Sequence, residues 1–326
     1  MSDAYKIAVI GPIPRDRIKT HDGNVVEKYG CVLYPVAVLS ALMPEGSTIY
    51  PVSHVLKCDE ENIKNILQEL KYVDMSYVSS EADQGDVINL IYLDQNNRLE
   101  TQTGFMNPIL PKDVENILDC DMFVFVPVTD FEISLEVLKF IKTKSEGLVI
   151  FDAHGPTNTV DIRGHRNFQF WIDRDVWLPY IDVLKMNLEE AACCWFRSEY
   201  TPEALEQVSS LPFDEVPKFA RHCLNLGVKA VYITLNEKGS VAYYMKNGKV
   251  KEKLIKRIEV EKVVDTTGCG DSFAGGLAFG YLRTKNWEKA CHYANAVGAQ
   301  RCSGIDLCIY KDLAETEAQI AETYGD

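Results

Sequence analysis

Residues 264–276 read Val-Asp-Thr-Thr-Gly-Cys-Gly-Asp-Ser-Phe-Ala-Gly-Gly, a turn of small residues followed by the start of a helix with a carboxylate just inside it. The first turn of a helix carries free N–H groups and the positive end of the helix dipole, so it attracts anions. The amides of Gly268, Cys269 and Gly270 could therefore wrap around a phosphate group. Asp271 would then lie where it could take a proton from an attacking hydroxyl. The stretch predicts an anion hole next to a general base.

A purely structural interpretation of the same residues is also possible. Asp265 or Thr267 would then be the N-cap of the helix, and Gly275 and Gly276 would let it pack closely on a sheet. In either interpretation we expect a strand to end near Val264. That would put the glycine-rich turn at the carboxyl edge of a sheet, where open α/β sheets bind ligands.

Length and composition limit the class of protein. The chain has 326 residues, of which 46% are hydrophobic, so it can bury a large core as one large α/β domain with an appendage or as two modest domains. Its net charge of −14 argues against nucleic acid or an anionic membrane as the main partner. A nucleotide would have to be held by local amides and a metal ion.

Cysteine usage and the N-terminus indicate a cytoplasmic protein. The ten cysteines are thinly spread, include the adjacent pair Cys193 and Cys194, and show no Cys-x-x-Cys spacing, so we expect reduced thiols rather than a disulfide scaffold. The first residues lack the pattern of a signal peptide, and no apolar run reaches the roughly 18 residues of a membrane helix.

Continuous apolar strands alternating with helices from residue 122 onward predict a parallel sheet covered by helices on both faces. Strands are predicted at residues 122–128, 148–151, 181–186 and 230–235, and helices at residues 133–144, 188–196, 214–226, 270–283, 287–302 and 312–323. A hairpin around Asn247-Gly248 is expected to add two antiparallel strands at the edge of this sheet.

The N-terminal part of the chain has a different pattern. After a strand at residues 6–10, one hairpin turns at residues 21–24 and a second connects residues 87–93 to 98–103 through a turn at 94–97. An amphipathic helix is predicted between them, at residues 59–72. The two hairpins could pair as a small separate sheet.

The order Asp-Thr-x-Gly-x-Gly-Asp at residues 265–271 resembles the Asp-Thr-x-Gly-Ala-Gly-Asp signature of the ribokinase-like (PfkB) family of sugar and nucleoside kinases. Cys269 stands where that family usually has alanine, and it keeps the backbone amide. The resemblance implies a three-layer α/β/α sandwich with a mainly parallel central sheet and a small β-sheet lid. It also implies a single domain over residues 1–326, with the lid formed by about residues 12–32 and 85–105.

The family's Asn-x-x-Glu motif is matched by Asn187 and Glu190. By itself this is a capping box, with Asn187 as N-cap and Glu190 reaching back to it. In the family the motif is implicated in positioning the magnesium ion that accompanies ATP. Magnesium keeps several waters and needs few protein oxygens, so both side chains could act through water.

The nucleotide side of the family pattern is matched in part. Thr234 and Gly239 match the ends of a Thr-x-Gly-x-x-Gly stretch that lies along the nucleotide, and Asn236, which also tolerates a left-handed backbone, replaces its first glycine. The resemblance further implies that Asn295 and Gly304 lie near the adenine.

On the substrate side, Asp16 has the family's spacing from the first strand and is expected to bind sugar hydroxyls. The family's Gly-Gly-x-x-x-Asn stretch is matched only at Gly30. Tyr34 stands where the family has the asparagine that binds a sugar hydroxyl, and its ring could stack on a sugar face or a base. The usual hexose or ribose specificity of the family therefore does not carry over to this sequence.

Basic and aromatic residues that follow the strand at 148–151 are open to two interpretations. His154 is either a pocket residue or a histidine in a turn. The segment 161–177 is expected to serve mostly in packing, with Arg166 or Arg174 as a possible contact for an anionic group of the substrate.

The resemblance implies a kinase that transfers the γ-phosphoryl group of ATP to a hydroxyl, expected to be a CH2OH group, of a sugar, polyol or nucleoside. ATP and Mg²⁺ are the implied cofactors, a monovalent cation is a further candidate, and a homodimer through the lid is a possible assembly. A non-catalytic sugar or nucleotide sensor is the alternative: the altered residues 30–34 favour it and the intact Asp271 argues against it. A dinucleotide oxidoreductase ranks last, because no Gly-x-Gly-x-x-Gly follows the first strand.

Overall fold

The computed structural model describes residues 4–19, 23–93, 98–196 and 211–325. The turn predicted at residues 94–97 and part of the turn at 21–24 lie outside the described residues.

The described residues form both strands and helices. The strands are β1 (Lys6–Ile10), β2 (Arg15–Lys19), β3 (Val25–Tyr29), β4 (Thr48–His54), β5 (Val78–Ser79), β6 (Val87–Tyr92), β7 (Arg98–Gly104), β8 (Met122–Phe125), β9 (Leu148–Asp152), β10 (Asn158–Val160), β11 (Arg166–Phe168), β12 (Val183–Asn187), β13 (Ala230–Thr234), β14 (Ser240–Lys246) and β15 (Lys249–Ile255). The helices are α1 (Leu33–Leu42), α2 (Lys57–Gln68), α3 (Leu135–Lys144), α4 (Arg174–Trp177), α5 (Leu188–Cys194), α6 (Val216–Asn225), α7 (Cys269–Thr284), α8 (Trp287–Cys302) and α9 (Leu313–Tyr324).

A nine-stranded sheet in the order β15-β14-β13-β12-β9-β8-β1-β4-β5 forms the centre of the fold. Seven of its strands pair in parallel. The hairpin β14–β15 adds the two antiparallel strands at one edge, as predicted. Parallel strands must be joined by crossovers, and here those crossovers are mostly helices.

The central sheet is buried on both faces. Along β1, Ile7 and Val9 contribute to an apolar cluster that includes residues of α1, α7 and α8, whereas Ala8 and Ile10 contribute to a second cluster with residues of α3 and α6. Strands buried on both faces are continuous apolar runs, which is why the sequence predicts them well. The three-layer α/β/α architecture is therefore confirmed.

A second sheet of four strands, in the order β3-β2-β6-β7, combines the two N-terminal hairpins as predicted. Its hairpins β2–β3 and β6–β7 are antiparallel, and β2 pairs with β6 in parallel. All four strands lie within the ranges 12–32 and 85–105 expected for the lid. Closure over a substrate and dimerisation through this sheet both stay predictions.

Three predicted boundaries are wrong. The helix expected at residues 59–72 spans Lys57–Gln68, and Tyr72 has a left-handed backbone with φ of 66°. The strand expected at 122–128 ends at Phe125. No strand ends near Val264, because the N–H of Val264 donates to the carbonyl of Cys302 at 2.7 Å instead of to a sheet neighbour.

None of the helices in the described ranges combines the length and the apolar character that a membrane-spanning segment requires.

Candidate active site

Some of the residues singled out in the sequence lie at the carboxyl edge of the central sheet. Asn187 ends β12 and lies opposite Thr234, which ends β13, in the parallel register. Lys185 of β12 lies opposite Asp152, the last residue of β9. In open α/β sheets this edge is where ligands bind, so strand order alone brings distant motifs together.

The glycine-rich turn leads directly into α7, with Gly268 as the residue that caps it. Its φ of 79° is a left-handed conformation that suits glycine, and no side chain caps the helix start. Asp265 and Thr267 as N-caps are therefore wrong: the Asp265 carboxylate instead accepts the N–H of Thr267 at 2.9 Å, inside the turn. The N–H of Cys269 donates to the Thr266 carbonyl at 3.2 Å, so in this conformation one of the three expected anion-hole amides is engaged within the turn.

Asp271 is the third residue of α7 and is partly exposed. Burial and the negative charge of Asp152 raise its pKa to about 6, against the opposing charges of Lys185 and His154. A carboxylate with a pKa just below neutrality is mostly ionised at pH 7 and is still basic enough to accept a proton. The residue therefore has the protonation state that a general base needs.

Lys185 is a buried charge that the sequence analysis missed. Its Nζ lies 2.7 Å from Oδ2 of Asp152, and both side chains are almost fully buried. A Cβ built on Gly270 would lie 2.8 Å from the same Nζ, so the ammonium group approaches the start of α7 directly. Burial disfavours the charged lysine, but Asp152 and Glu190 outweigh that effect and raise the pKa of Lys185. The available signal was a lysine in the strand predicted at 181–186, between the apolar residues Leu184 and Met186.

Asn187 and Glu190 form the predicted capping box. The Glu190 N–H donates to Oδ1 of Asn187 at 2.7 Å, and the Asn187 N–H donates to Oε2 of Glu190 at 2.8 Å. Oε1 of Glu190 contacts Nδ1 of His154 at 2.9 Å and also accepts from the Asn187 amide. Burial opposes ionisation of Glu190, yet the His154 contact and the Lys185 charge lower its pKa.

These residues do not fit a metal ion bound directly. Glu190 is only 2% exposed and both of its oxygens already accept hydrogen bonds. Within the described ranges, no group of three or more histidine, cysteine or acidic side chains is arranged to hold a metal. Magnesium contact through water, as expected from the sequence, stays a prediction.

Asp16, Gly30 and Tyr34 adjoin one another on the substrate side. A Cβ on Gly30 would lie 3.3 Å from Oδ2 of Asp16 and 3.3 Å from the Tyr34 ring. Asp16 is 7% exposed, and burial raises its pKa to about 7 although Lys28 and Arg166 oppose the rise. The charge of Asp271 raises it further. Asp16, which is expected to bind the substrate, and Asp271, the expected base, are thus close enough to affect each other's protonation.

Tyr34 connects the substrate side to the glycine-rich turn. A Cβ on Gly268 would fall 2.5 Å from the Tyr34 ring, so the ring packs against that glycine. Above the ring lies the guanidinium of Arg301, 4.9 Å from the ring centre. Arg301 is fully buried and also binds the Asp265 carboxylate at 3.1 Å and the carbonyl of Gly304. The aromatic replacement at residue 34 is therefore a structural part of the turn that precedes α7.

The nucleotide-side turn has the conformation that its sequence suggests. Asn236 adopts a left-handed backbone with φ of 51°, as expected for the residue that replaces glycine. Gly239 has φ of 94°, and a Cβ there would lie 2.2 Å from the carbonyl of Ile255. Gly239 is thus required for packing against β15, whatever it contacts in a ligand. Nucleotide contacts of Thr234, Asn236 and Gly239 stay predictions.

Asn295 is held by the protein itself. Its amide donates to the carbonyl of Lys256 and to the hydroxyl of Tyr324, both at 3.1 Å, and its Oδ1 accepts from Ser240 at 3.2 Å. An adenine contact for Asn295 would require it to give up one of these bonds. That contact and the corresponding one for Gly304 stay predictions.

Of the two arginines considered for an anionic substrate, only Arg166 lies at the site. Its guanidinium donates to Oε1 of Gln102 and to the carbonyl of Val128, both at 3.1 Å, and lies 3.4 Å from Nε2 of His154. It thereby joins the small sheet to the edge of the central sheet. Arg174 instead packs over the ring of Phe196, with 5.0 Å between guanidinium carbon and ring centre.

Comparisons with known proteins agree with this architecture. Residues 169–308 match the pfkB family carbohydrate kinases. An uncharacterized sugar kinase of Archaeoglobus fulgidus is 33% identical over 95 residues, which are 29% of this chain and 36% of that protein. Adenosine kinase 2 of Arabidopsis thaliana is 26% identical over 170 residues, 50% of this chain and 47% of the relative. The matches span between 24% and 47% of the length of the curated relatives.

Solved structures match over nearly the whole chain. Arabidopsis thaliana ribokinase, complexed with ribose and ATP, superposes with a TM-score of 0.72 at 19% identity and covers 98% of this chain and 99% of its own. A pyrophosphate-dependent kinase in the ribokinase family, complexed with a pyrophosphate analogue and myo-inositol, gives 0.70 at 17% identity, with 97% and 99% covered. At these identities the likeness concerns the fold.

Proposed function

We propose that the chain, whose residues 169–308 match the pfkB family carbohydrate kinases, is a ribokinase-like kinase that phosphorylates a hydroxyl group of a sugar, polyol or nucleoside with ATP as the donor. One observation carries the proposal furthest. Asp16, Gly30 and Tyr34 adjoin one another, the Tyr34 ring packs against Gly268 of the turn, and Asp271 lies within electrostatic reach of Asp16. A kinase of this kind needs an acceptor site, a base and an anion site in direct succession.

Each residue has a distinct task in the proposed reaction. Asp16 accepts hydrogen bonds from the acceptor's hydroxyls, which orients the hydroxyl to be phosphorylated toward Asp271. That oxygen attacks the γ-phosphorus of ATP, its proton passes to Asp271, and the bond between the phosphorus and the departing ADP oxygen breaks. Amides of the turn 268–270 and the ammonium of Lys185 stabilise the transferring phosphoryl group.

The donor is proposed to bind beside the nucleotide-side turn. ATP enters as a substrate and, in the family, is accompanied by magnesium, which neutralises phosphate charge when bound. Thr234, Asn236 and Gly239 would lie along the nucleotide, and Asn187 with Glu190 would contact the metal only through water. Solved structures similar to this chain include a pyrophosphate-dependent kinase, so pyrophosphate is the alternative donor.

The small sheet is proposed to close over the acceptor. Arg166 bonds to Gln102 of β7 in this sheet and lies next to His154 at the carboxyl edge of the central sheet. Lys28 of β3 pairs with Asp265 of the glycine-rich turn at 3.1 Å. Through these contacts, closure of the small sheet would exclude water from the acceptor and at the same time align the glycine-rich turn.

The test is a screen for phosphorylated products. Purified protein is incubated with a panel of sugars, polyols and nucleosides and with either MgATP or pyrophosphate, and products are identified by mass spectrometry. Asp271→Asn, purified in parallel, controls for kinases of the expression host. We expect an acceptor-dependent product with ATP from the wild type alone. Binding of acceptors and nucleotide without any product would favour the sensor, and product from pyrophosphate alone would overturn the assignment of the donor.

A further inference from the structure

Two thiols face each other across the start of α7. Sγ of Cys269, the first residue of α7, lies 3.2 Å from Sγ of Cys302, the last residue of α8. Both residues are partly exposed, so a small oxidant can reach them. The other contact of the Cys269 thiol is the carbonyl of Gly298, at 3.7 Å.

The pair has the chemistry of a reactive dithiol. The hydrogen bond from Cys269 and, against the cost of burial, the guanidinium of Arg301 lower the pKa of Cys302 to about 7. The same hydrogen bond, together with burial, raises the pKa of Cys269, so Cys269 keeps its proton and Cys302 is the thiolate. The two sulfurs share one proton, so the pair as a whole loses its first proton near neutral pH. A thiolate next to a second thiol is the arrangement that oxidises to a disulfide.

We infer that Cys269 and Cys302 form a reversible disulfide that switches off phosphoryl transfer, an inference that rests on the proposed function. With hydrogen peroxide as oxidant, the thiolate attacks one peroxide oxygen, the O–O bond breaks, and the departing hydroxide is protonated to water. The second thiol then attacks the resulting sulfenic sulfur, a second water leaves, and the S–S bond forms. Two thiols are oxidised and one peroxide is reduced to two waters.

The position of the pair explains why the bond would inhibit. A disulfide requires about 2.05 Å between the sulfurs, so from 3.2 Å they must approach by roughly 1.2 Å. Cys269 lies between Gly268 and Gly270, whose amides are proposed to hold the phosphoryl group. A displacement of about 1 Å in such a site can cost on the order of 10²-fold in rate.

Disulfide formation is measured first, without any acceptor. Trypsin cleaves after Arg301 and Lys311 and leaves Cys302 and Cys308 on one peptide, so linkage is mapped in the Cys308→Ser variant. We expect peroxide to link peptide 302–311 to peptide 263–283, and dithiothreitol to separate them. Kinase activity of the same samples should fall at least tenfold on oxidation and return on reduction.

Two variants separate the switch from general oxidative damage. Cys302→Ser should keep the activity of the reduced wild type and resist peroxide, whereas Cys308→Ser, which removes an exposed thiol, should stay sensitive. Absence of linked peptides, or full activity of the linked protein, would overturn the switch alone. A reduced protein that phosphorylates no acceptor would overturn the proposed function and with it the switch, even if the linked peptides form.

Discussion

Replacing Asp16 with asparagine should stabilise the folded protein and weaken its binding of the acceptor. Folding raises the pKa of this carboxyl from 3.8 to about 7, chiefly through burial. Each pKa unit corresponds to about 1.4 kcal/mol, so the ionised carboxylate lowers the free energy of unfolding by about 4 kcal/mol at neutral pH. The folded state binds more protons than the unfolded chain between these two pKa values. Stability therefore falls as pH rises through that window.

The assay is urea unfolding of Asp16→Asn and wild type between pH 5 and pH 8. The free energy of unfolding of the variant should exceed that of the wild type by an amount that grows by about 2–3 kcal/mol from pH 5 to pH 8, because only part of the wild type's destabilisation is present at pH 5. Asp130→Asn, which removes an exposed carboxylate, is the matched control and should show no such growth. The variant should also need a higher acceptor concentration for half-maximal rate. A stability difference that stays constant or shrinks with rising pH would refute the reasoning.

Three further predictions concern the same site. Gly268→Ala should lower turnover at least about tenfold, because it strains a backbone with φ of 79° and puts a Cβ 2.5 Å from an aromatic ring. The control Gly298→Ala, which has nothing within 4 Å of the new Cβ, should keep the wild-type turnover. Equal rates of the two variants would contradict the proposed turn. Lys185→Met leaves a buried carboxylate without its partner and should lower the free energy of unfolding by about 3–5 kcal/mol. The control Lys229→Met removes a half-exposed charge and should lower it by less than about 1 kcal/mol. Urea unfolding measures both, and similar losses would count against the buried pair. The specificity constant kcat/KM should rise with pH as Asp271 loses its proton near pH 6 and Asp16 loses its proton near pH 7, and should level off only above that range. In the Asp16→Asn variant the rise near pH 6 should remain, and its absence would argue against Asp271 as the base.

Much of the fold could be predicted because its determinants are local. Strands buried on both faces are continuous apolar runs, and the hairpin at Asn247-Gly248 has a turn sequence that needs no tertiary information. The capping box of Asn187 and Glu190 is likewise a four-residue pattern. The prediction of a strand near Val264 was wrong. The apolar pair Val263-Val264 resembles the end of a strand, but the backbone there bonds to Cys302 at the end of α8.

The electrostatics of the site could not be predicted in the same way. The role of Lys185 depends on the register that puts it opposite Asp152, and register is a property of the assembled sheet. The sequence suggests that the Tyr34 ring could stack on a sugar face or a base, but it does not reveal that the ring packs against Gly268 and Arg301, which are distant in sequence. A pattern along the chain identifies residues that carry chemistry, but which partners satisfy them depends on tertiary contacts.

Turnover of Asp271→Asn tests the central claim most directly. The variant keeps the size of the side chain and the amides of the turn but cannot accept the proton of the attacking hydroxyl. We expect kcat to fall at least about 10²-fold with the best acceptor from the screen, while the dissociation constant for a nonhydrolysable ATP analogue stays close to that of the wild type. A folded Asp271→Asn protein that turns over like the wild type would contradict the account.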